Sequence, residues 1–144
     1  MSLQNPEKKM SKSDENENAY ILILDSPDAI RRKIRRAVTD LKGQVKYSDE
    51  QPGIKNLIEI YSAFSGDSIE DIEKRYEGKG YSQFKEDLAE VVVSGLAPIQ
   101  EKYNYYMKNK DYLESVYKKG AERANYVSNK TLRKVYRKVG FIER

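Results

Sequence analysis

The chain has 144 residues, 35% of them charged, so it is long enough for one compact domain with a core and too short for two large ones. It contains no cysteine and no histidine, which excludes disulfides, cysteine-ligated zinc and histidine-based catalysis. No apolar run approaches the roughly 20 residues that cross a bilayer, and the beginning lacks the apolar segment of a signal peptide. We therefore expect a cytoplasmic protein with no membrane contact.

The formal net charge of +4 is unevenly distributed along the chain. From Lys102 to Arg144 twelve basic residues stand against four acidic ones, whereas Gly66 to Glu90 contains four basic and eight acidic residues. A basic C-terminal part that follows an acidic middle indicates an anionic partner for the C-terminal part.

Two lysines lie close together near the start of the chain. Residues 1–3 have the form of a vector-derived leader, and we leave them outside the predicted fold. After them comes Lys9-Met10-Ser11-Lys12-Ser13, in which the two lysines are three residues apart. Lysine carries three donors on a flexible stem, so this pair can follow a phosphate that moves during a reaction. The alternative is a solvated tail, which is the more common role of such a cluster.

A short apolar run, residues 19–24, follows this lysine loop. Six residues of this kind suit a buried strand better than a helix, and a single helical turn is the alternative. A strand needs a partner, and the sequence shows no second strand of comparable strength. We therefore expect the partner sheet in sequence that this chain lacks.

Three helices are predicted in the next part of the chain. The first begins at Ser26-Pro27-Asp28, a hydroxyl cap followed by proline and an acid, and runs to about Leu41. The second opens at Pro52-Gly53 and ends at Gly66. The third begins at Ser68, where a hydroxyl and a following acid form an approximate capping box.

Two long helices complete the predicted fold. The fourth covers about residues 83–107 and should bend near Ser94-Gly95, because Pro98 removes a backbone hydrogen bond. The fifth runs from Asp111 to Val139, and Gly120 is the place where it could break. The predicted architecture is mainly α: a bundle of about five helices, preceded by a mobile loop and one short strand.

The fifth helix has two chemically different faces. Small and apolar residues on one face should pack against a neighbour: Tyr117, Ala121, Ala124, Ser128, Leu132, Val135 and Val139. Cations and a tyrosine on the other face recur at steps of four and three: Lys119, Arg123, Tyr126, Lys130, Arg133 and Arg137. Cations for phosphate and a ring for stacking are what a nucleic-acid surface requires. The alternative is a solvated face with a chance tyrosine.

Five segments of the chain resemble those of a known family. Lys-Met-Ser-Lys-Ser is the literal signature of class I aminoacyl-tRNA synthetases. The order and spacing of four further segments resemble the tryptophanyl-tRNA synthetases of bacteria, from residue 4 to residue 144. These segments are AVTD at 37–40, PGIKNL at 52–57, YEGKGY at 76–81 and GAERA at 120–124. Tyrosyl enzymes share the signature, but the four further segments favour tryptophan.

The resemblance implies a C-terminal fragment whose nucleotide-binding α/β domain is absent from this sequence. Residues 4–25 would end the catalytic domain, and residues 26–144 would form the helical anticodon-binding domain. The full-length enzyme, a tryptophan-tRNA ligase, would use ATP with Mg²⁺ to activate L-tryptophan and would attach it to tRNA(Trp) as a cytoplasmic homodimer. The fragment alone is expected to hold no cofactor and no metal and to be inactive.

The resemblance also implies roles for individual residues. ATP phosphates would be bound by Lys9, Met10, Ser11, Lys12 and Ser13. Lys12 would be catalytic, because it would neutralise the charge that develops as pyrophosphate leaves. The basic face of the fifth helix would bind tRNA. An alternative from another class is a free-standing helical RNA-binding module without catalysis, in which the lysines are only a tail.

Overall fold

The structure, a computed structural model, describes residues 1–142, and its regular elements are all helical. A short 3₁₀ helix is followed by five α-helices, which confirms the prediction of a mainly α fold. None of these helices is long and apolar enough to span a bilayer. The chain divides into two compact units, Met1–Glu101 and Lys102–Arg144. The elements are the 3₁₀ helix Glu17–Ala19, α1 Pro27–Arg35, α2 Pro52–Ser65, α3 Ile69–Arg75, α4 Tyr81–Lys108 and α5 Lys110–Val139.

Side-chain caps start two of the helices at the predicted places. The Ser26 hydroxyl accepts a hydrogen bond from the Ala29 N–H at 3.3 Å, and Pro27 occupies the first turn with its φ already helical. The Ser68 hydroxyl accepts from the Asp71 N–H at 3.2 Å and donates to the Asp71 carboxylate at 2.7 Å. The predicted starts of α1 and α3 are confirmed.

The core of the first unit combines the apolar faces of α1, α2, α3 and the first half of α4. Its centre is aromatic, since the Phe84 ring lies 5.1 Å from Tyr76 and 6.0 Å from Tyr61, centroid to centroid. Burial of each large apolar side chain contributes about 1.5–3 kcal/mol, so this packing is the main source of stability. Around these rings lie the buried aliphatic residues Ile30, Ile34, Ile54, Leu57, Ile58, Ile72, Leu88 and Val92.

Helix α1 ends earlier than predicted, at Arg35 instead of about Leu41. The Val38 N–H leaves the helical pattern and donates to the Leu3 carbonyl at 2.8 Å. The Val38 carbonyl in turn packs so closely on Gly53 that a Cβ there would lie 2.4 Å from its oxygen. These tertiary contacts end α1 before the apolar pattern in the sequence does, and Leu41 is left exposed.

Residues 1–3 pack into the fold, contrary to the prediction that they lie outside it. Leu3 is only 2% exposed, and its N–H donates to the Ala19 carbonyl at 2.9 Å. The terminal ammonium group of Met1 donates to Oδ1 of Asn56, a residue of α2, at 2.7 Å. Whatever the origin of these three residues, Leu3 is part of the core.

The strand predicted at residues 19–24 does not form. A turn closes instead, in which the Asp25 N–H donates to the Leu22 carbonyl at 3.1 Å and the Asp25 carboxylate accepts from the Leu22 N–H at 2.9 Å. The side-chain amide of Gln100 holds this turn by donating to the carbonyls of Ile23 and Asp25. A strand needs a second strand to pair with, and residues 1–142 contain none.

The two long helices form at their predicted places. Helix α4 continues through Pro98, and the bend near Ser94-Gly95 stays a prediction. Helix α5 continues through Gly120 without the break that the sequence allows. No residue of α5 is buried, so the predicted packing of its apolar face is wrong for the described chain. The residues of that face are all exposed: Tyr117, Ala121, Ala124, Ser128, Leu132, Val135 and Val139.

Candidate functional site

The lysine loop belongs to a segment whose two ends are tied together. The hydrogen bond from the Leu3 N–H to the Ala19 carbonyl joins residues 16 positions apart. Between them, Met10 packs against the core of the first unit and is partly buried. A compact loop whose ends are joined and whose Met10 packs on the core keeps a fixed base while its tip stays in solvent.

The tip of this loop is a turn with Lys12 at its apex. The Asp14 N–H donates to the Ser11 carbonyl at 3.2 Å and closes the turn. The hydroxyls of Ser11 and Ser13 lie 3.0 Å apart, so the two serines hydrogen-bond to each other across Lys12. The five predicted phosphate-binding residues therefore share one loop, and Lys9, Ser11, Lys12 and Ser13 are all exposed.

The two loop lysines carry charges that no described neighbour neutralises. Among residues 1–142, neither Lys9 nor Lys12 forms a hydrogen bond or ion pair through its ammonium group. Three other lysines of the first unit are paired, as Lys33–Asp25, Lys42–Glu50 and Lys55–Asp49. Unpaired ammonium groups on an exposed turn can bind a polyanion without first breaking an internal contact.

A buried ion pair anchors the chain directly after the loop. The ammonium of Lys33 lies 2.6 Å from the Asp25 carboxylate, and the two side chains are only 5% and 12% exposed. The same ammonium stands 4.9 Å from the centroid of the Tyr20 ring. Separating the pair would leave a buried charge without a partner, which is strongly unfavourable. The pair therefore holds the 20–25 segment on α1. The sequence signal for this contact was Lys33 on the apolar side of α1, beside Ile34.

The basic face of α5 is presented as predicted from the spacing. The six residues Lys119, Arg123, Tyr126, Lys130, Arg133 and Arg137 are all exposed on one uninterrupted helix. Because an α-helix rises about 1.5 Å per residue, this face is about 27 Å long. Tyr126 is 72% exposed, and within the described chain Lys119, Arg123, Lys130 and Arg133 form no ion pair. The arrangement can place several cations and one ring along a phosphate backbone.

Three tyrosines at the junction of α4 and α5 form an exposed cluster that was not predicted as a site. The Tyr105 and Tyr106 rings meet edge to face at 5.3 Å, and Tyr106 stacks on Tyr112 at 5.7 Å. Their exposed fractions are 62%, 40% and 54%. The available sequence signal was the spacing of the three rings around Asn109, the residue between the two helices. Exposed, mutually supported rings offer nucleobases a stacking surface.

A hydrogen-bond network fixes the loop between α1 and α2. The Tyr81 hydroxyl donates to the Asp40 carboxylate at 2.6 Å, and the Gln51 amide donates to the same carboxylate and to the Gln44 carbonyl. Burial alone would raise the pKa of Asp40, but donors from Tyr81, the Lys42 backbone and Gln51 hold it below its usual value. Burial, reinforced by Asp40, raises the pKa of Tyr81.

Residues 1–97 match the family of tRNA synthetases class I (W and Y). The chain is 58% identical over 142 residues to the tryptophan–tRNA ligase of Clostridium acetobutylicum, covering 99% of this chain and 42% of that relative. It is 56% identical over 144 residues to the tryptophan–tRNA ligase of Clostridium perfringens, covering 100% of this chain and 43% of the relative.

A solved structure shows the same similarity in three dimensions. The tryptophanyl-tRNA synthetase from Mycoplasma pneumoniae superposes with a TM-score of 0.72 at 28% sequence identity. The superposition covers 99% of this chain and 45% of that one. The chain thus spans less than half the length of the relatives that it matches.

Proposed function

The chain belongs to the class I tRNA synthetases (W and Y), and we propose that it is the C-terminal part of a tryptophan-tRNA ligase. The whole enzyme would activate L-tryptophan with ATP and attach it to tRNA(Trp), as a cytoplasmic homodimer. Residues 4–25 would end its catalytic domain, and residues 26–144 would form its anticodon-binding domain. The relatives described above are named for tryptophan, which favours that amino acid over tyrosine.

The observation that carries this proposal is the anchored loop with two unpaired lysines. In the activation step, a tryptophan carboxylate oxygen attacks the α-phosphorus of ATP, and the bond to the bridging oxygen of pyrophosphate breaks. Negative charge grows on the departing pyrophosphate, and an ammonium group at the tip of a movable loop can neutralise it. Lys12, at the exposed apex of the turn, would take this role, while Lys9 would contact the phosphates from the base of the turn.

The neighbouring residues of the loop would support these two lysines. Ser11 and Ser13 would hold the turn and donate hydrogen bonds to phosphate oxygens. Met10, packed on the core, would be the fixed point from which the turn moves. Mg²⁺ would accompany the ATP phosphates as part of the substrate. Among residues 1–142 no group of three or more acidic side chains comes together that could hold a metal ion.

Kinetics of the full-length enzyme containing this chain tests the role of Lys12. Tryptophan-dependent exchange of pyrophosphate with ATP should fall about 100- to 1,000-fold for Lys12→Ala, as for other lost transition-state donors. Lys8→Ala is the matched control, because Lys8 is an exposed lysine of the same loop. A drop of equal size in both variants, or none in Lys12→Ala, would refute the assignment.

We propose further that the basic face of α5 contacts the tRNA. Several cations along about 27 Å of helix can neutralise successive phosphates, and Tyr126 can stack on an exposed base. The exposed cluster of Tyr105, Tyr106 and Tyr112 would add stacking partners for the unpaired bases of the anticodon loop. Both surfaces belong to the second unit, whose helix α5 carries no buried residue.

Binding of tRNA(Trp) by the chain at a series of salt concentrations tests this surface. Replacing two cations on the face, as Arg123→Gln with Lys130→Gln, should weaken binding about tenfold and lower the salt slope by about two. The control pair Lys118→Gln with Lys138→Gln removes the same charge from other sides of α5 and should change affinity less than about twofold. Equal losses of affinity in both variant pairs, or an affinity that does not change with salt concentration, would contradict a specific tRNA face.

A further inference from the structure

A cavity between α1 and the beginning of α4 is used by neither the lysine loop nor α5. Its volume is about 540 Å³. That size falls within the roughly 300–1,000 Å³ typical of small-molecule sites. Arg31 and Arg35 line it from α1, and Lys85, which is only partly exposed, lines it from α4. The cavity therefore brings an amine that can act as a nucleophile close to cations that can bind an anion.

The amino group of Lys85 is held in a defined position. Its Nζ donates to the Ala37 carbonyl at 2.8 Å and to the Arg35 carbonyl at 3.3 Å. The Arg35 carbonyl is one of the last four of α1, which have no partner within the helix. Lys85 forms no ion pair with any carboxylate among residues 1–142. Two neutral acceptors therefore position the nitrogen, and neither of them requires it to be charged.

These two contacts match the donors of a neutral amine. An ammonium group has three N–H donors, whereas the neutral amine has two N–H donors and one lone pair. With two carbonyls accepting, the neutral form leaves no donor without a partner, and its lone pair remains available for attack. Burial lowers the pKa of Lys85, because it disfavours the charged form. Lys85 thus has the surroundings of a nucleophilic lysine.

The other charges of the cavity leave one guanidinium open for a phosphate group. Nε and Nη2 of Arg31 donate to the two carboxylate oxygens of Glu90 at 2.6 Å and 3.1 Å. Asp87 accepts hydrogen bonds from two neutral side chains, and Glu86 is an exposed acid at the rim. Arg35 is exposed and forms no ion pair within the described part of the chain. It can bind a phosphate without first breaking an internal contact.

We propose that Lys85 is a site of covalent acylation by small acyl phosphates. The Lys85 amine attacks the acyl carbon while Arg35 binds the phosphate group. The bond from that carbon to the bridging oxygen breaks, and phosphate leaves with the bonding electron pair. The proton that the nitrogen loses passes through solvent to the departing phosphate. The product is a neutral amide with one N–H, so one of the two carbonyls at the end of α1 loses its donor.

Mass spectrometry of the 144-residue chain after brief treatment with acetyl phosphate tests the site. Acetylation of Lys85 should be about tenfold faster than that of Lys46, an exposed lysine of the first unit outside this cavity. Acetic anhydride, which carries no phosphate, is the second probe and should show a smaller preference for Lys85. A rate at Lys85 no higher than at Lys46, or an equal preference with both reagents, would overturn the proposal.

Two arginine variants separate binding of the phosphate from general reactivity of the lysine. Arg35→Gln should slow acetylation of Lys85 by acetyl phosphate about fivefold and change its rate with acetic anhydride less than about twofold. Arg32→Gln is the matched control, because Arg32 is an exposed residue of α1 outside the cavity, and it should change both rates less than about twofold. Circular dichroism verifies that both variants are folded. Equal slowing in the two variants, or none in Arg35→Gln, would refute a site for acyl phosphates.

Discussion

The first unit and helix α5 are stabilised in different ways, although one chain forms both. Every buried hydrophobic residue of the described chain lies between Leu3 and Leu96, and α5, with 30 residues, buries none. The first unit is therefore held by tertiary packing, while α5 depends on its own backbone hydrogen bonds and helix propensity. The lysine loop therefore lies on the packed unit, whereas the proposed tRNA face lies on a helix with no buried residue.

Truncation of one leucine in each region should give the largest contrast. Leu57→Ala removes a side chain that is 1% exposed and should cost about 2–5 kcal/mol of unfolding free energy. Leu132→Ala, at a residue that is 44% exposed, should cost less than about 0.5 kcal/mol. Urea unfolding measures both values. A cost for Leu132→Ala close to that for Leu57→Ala would show that α5 is covered in solution. That result would contradict the contrast between a packed first unit and an exposed α5.

Low pH should reduce the unfolding free energy of the first unit, because Asp40 becomes protonated. Its folded-state pKa is held below the usual 3.8, so its ionised form stabilises the fold above that pH. This stabilisation is lost as the pH falls below about 4 toward the lower folded-state pKa, where Asp40 becomes protonated. Asp40→Asn should therefore cost about 1–2 kcal/mol at pH 6 and less at pH 3, measured by urea unfolding. A cost that is the same at both pH values would contradict a role for the charge.

A smaller effect should appear when α5 is made a better helix. Gly120 lies within α5, and a Cβ there would meet no atom within 4 Å. Gly120→Ala should stabilise α5 by about 1 kcal/mol and slow its amide exchange about fivefold. The urea midpoint of the first unit should not move. If that midpoint rose by the same free energy, the two regions would unfold together.

The parts of the fold that depend on neighbours in sequence were predictable. Ser26 and Ser68 start their helices as expected because a cap bonds to an N–H only three residues away. The end of α1 was not predictable in this way, since a bond between Val38 and Leu3 decides it. The strand at 19–24 was predicted from apolar content alone, and it failed because a strand also needs a partner.

The same distinction between local and long-range contacts applies to the candidate sites. The signature at residues 9–13 and the spacing along α5 indicate both candidate sites, since each depends on residues that are close in sequence. Two other contacts join distant segments: the hydrogen bond between Leu3 and Ala19 and the buried ion pair of Lys33 with Asp25. Such contacts follow from tertiary packing and have no local pattern that would predict them.

The most direct test of the account is pyrophosphate exchange by the 144-residue chain alone, compared with the full-length enzyme. The account predicts tryptophan-dependent exchange in the full-length enzyme and none above background in the chain, because two lysines without the rest of the site cannot position the reactants. Exchange by the isolated chain that disappears in Lys12→Ala would contradict it.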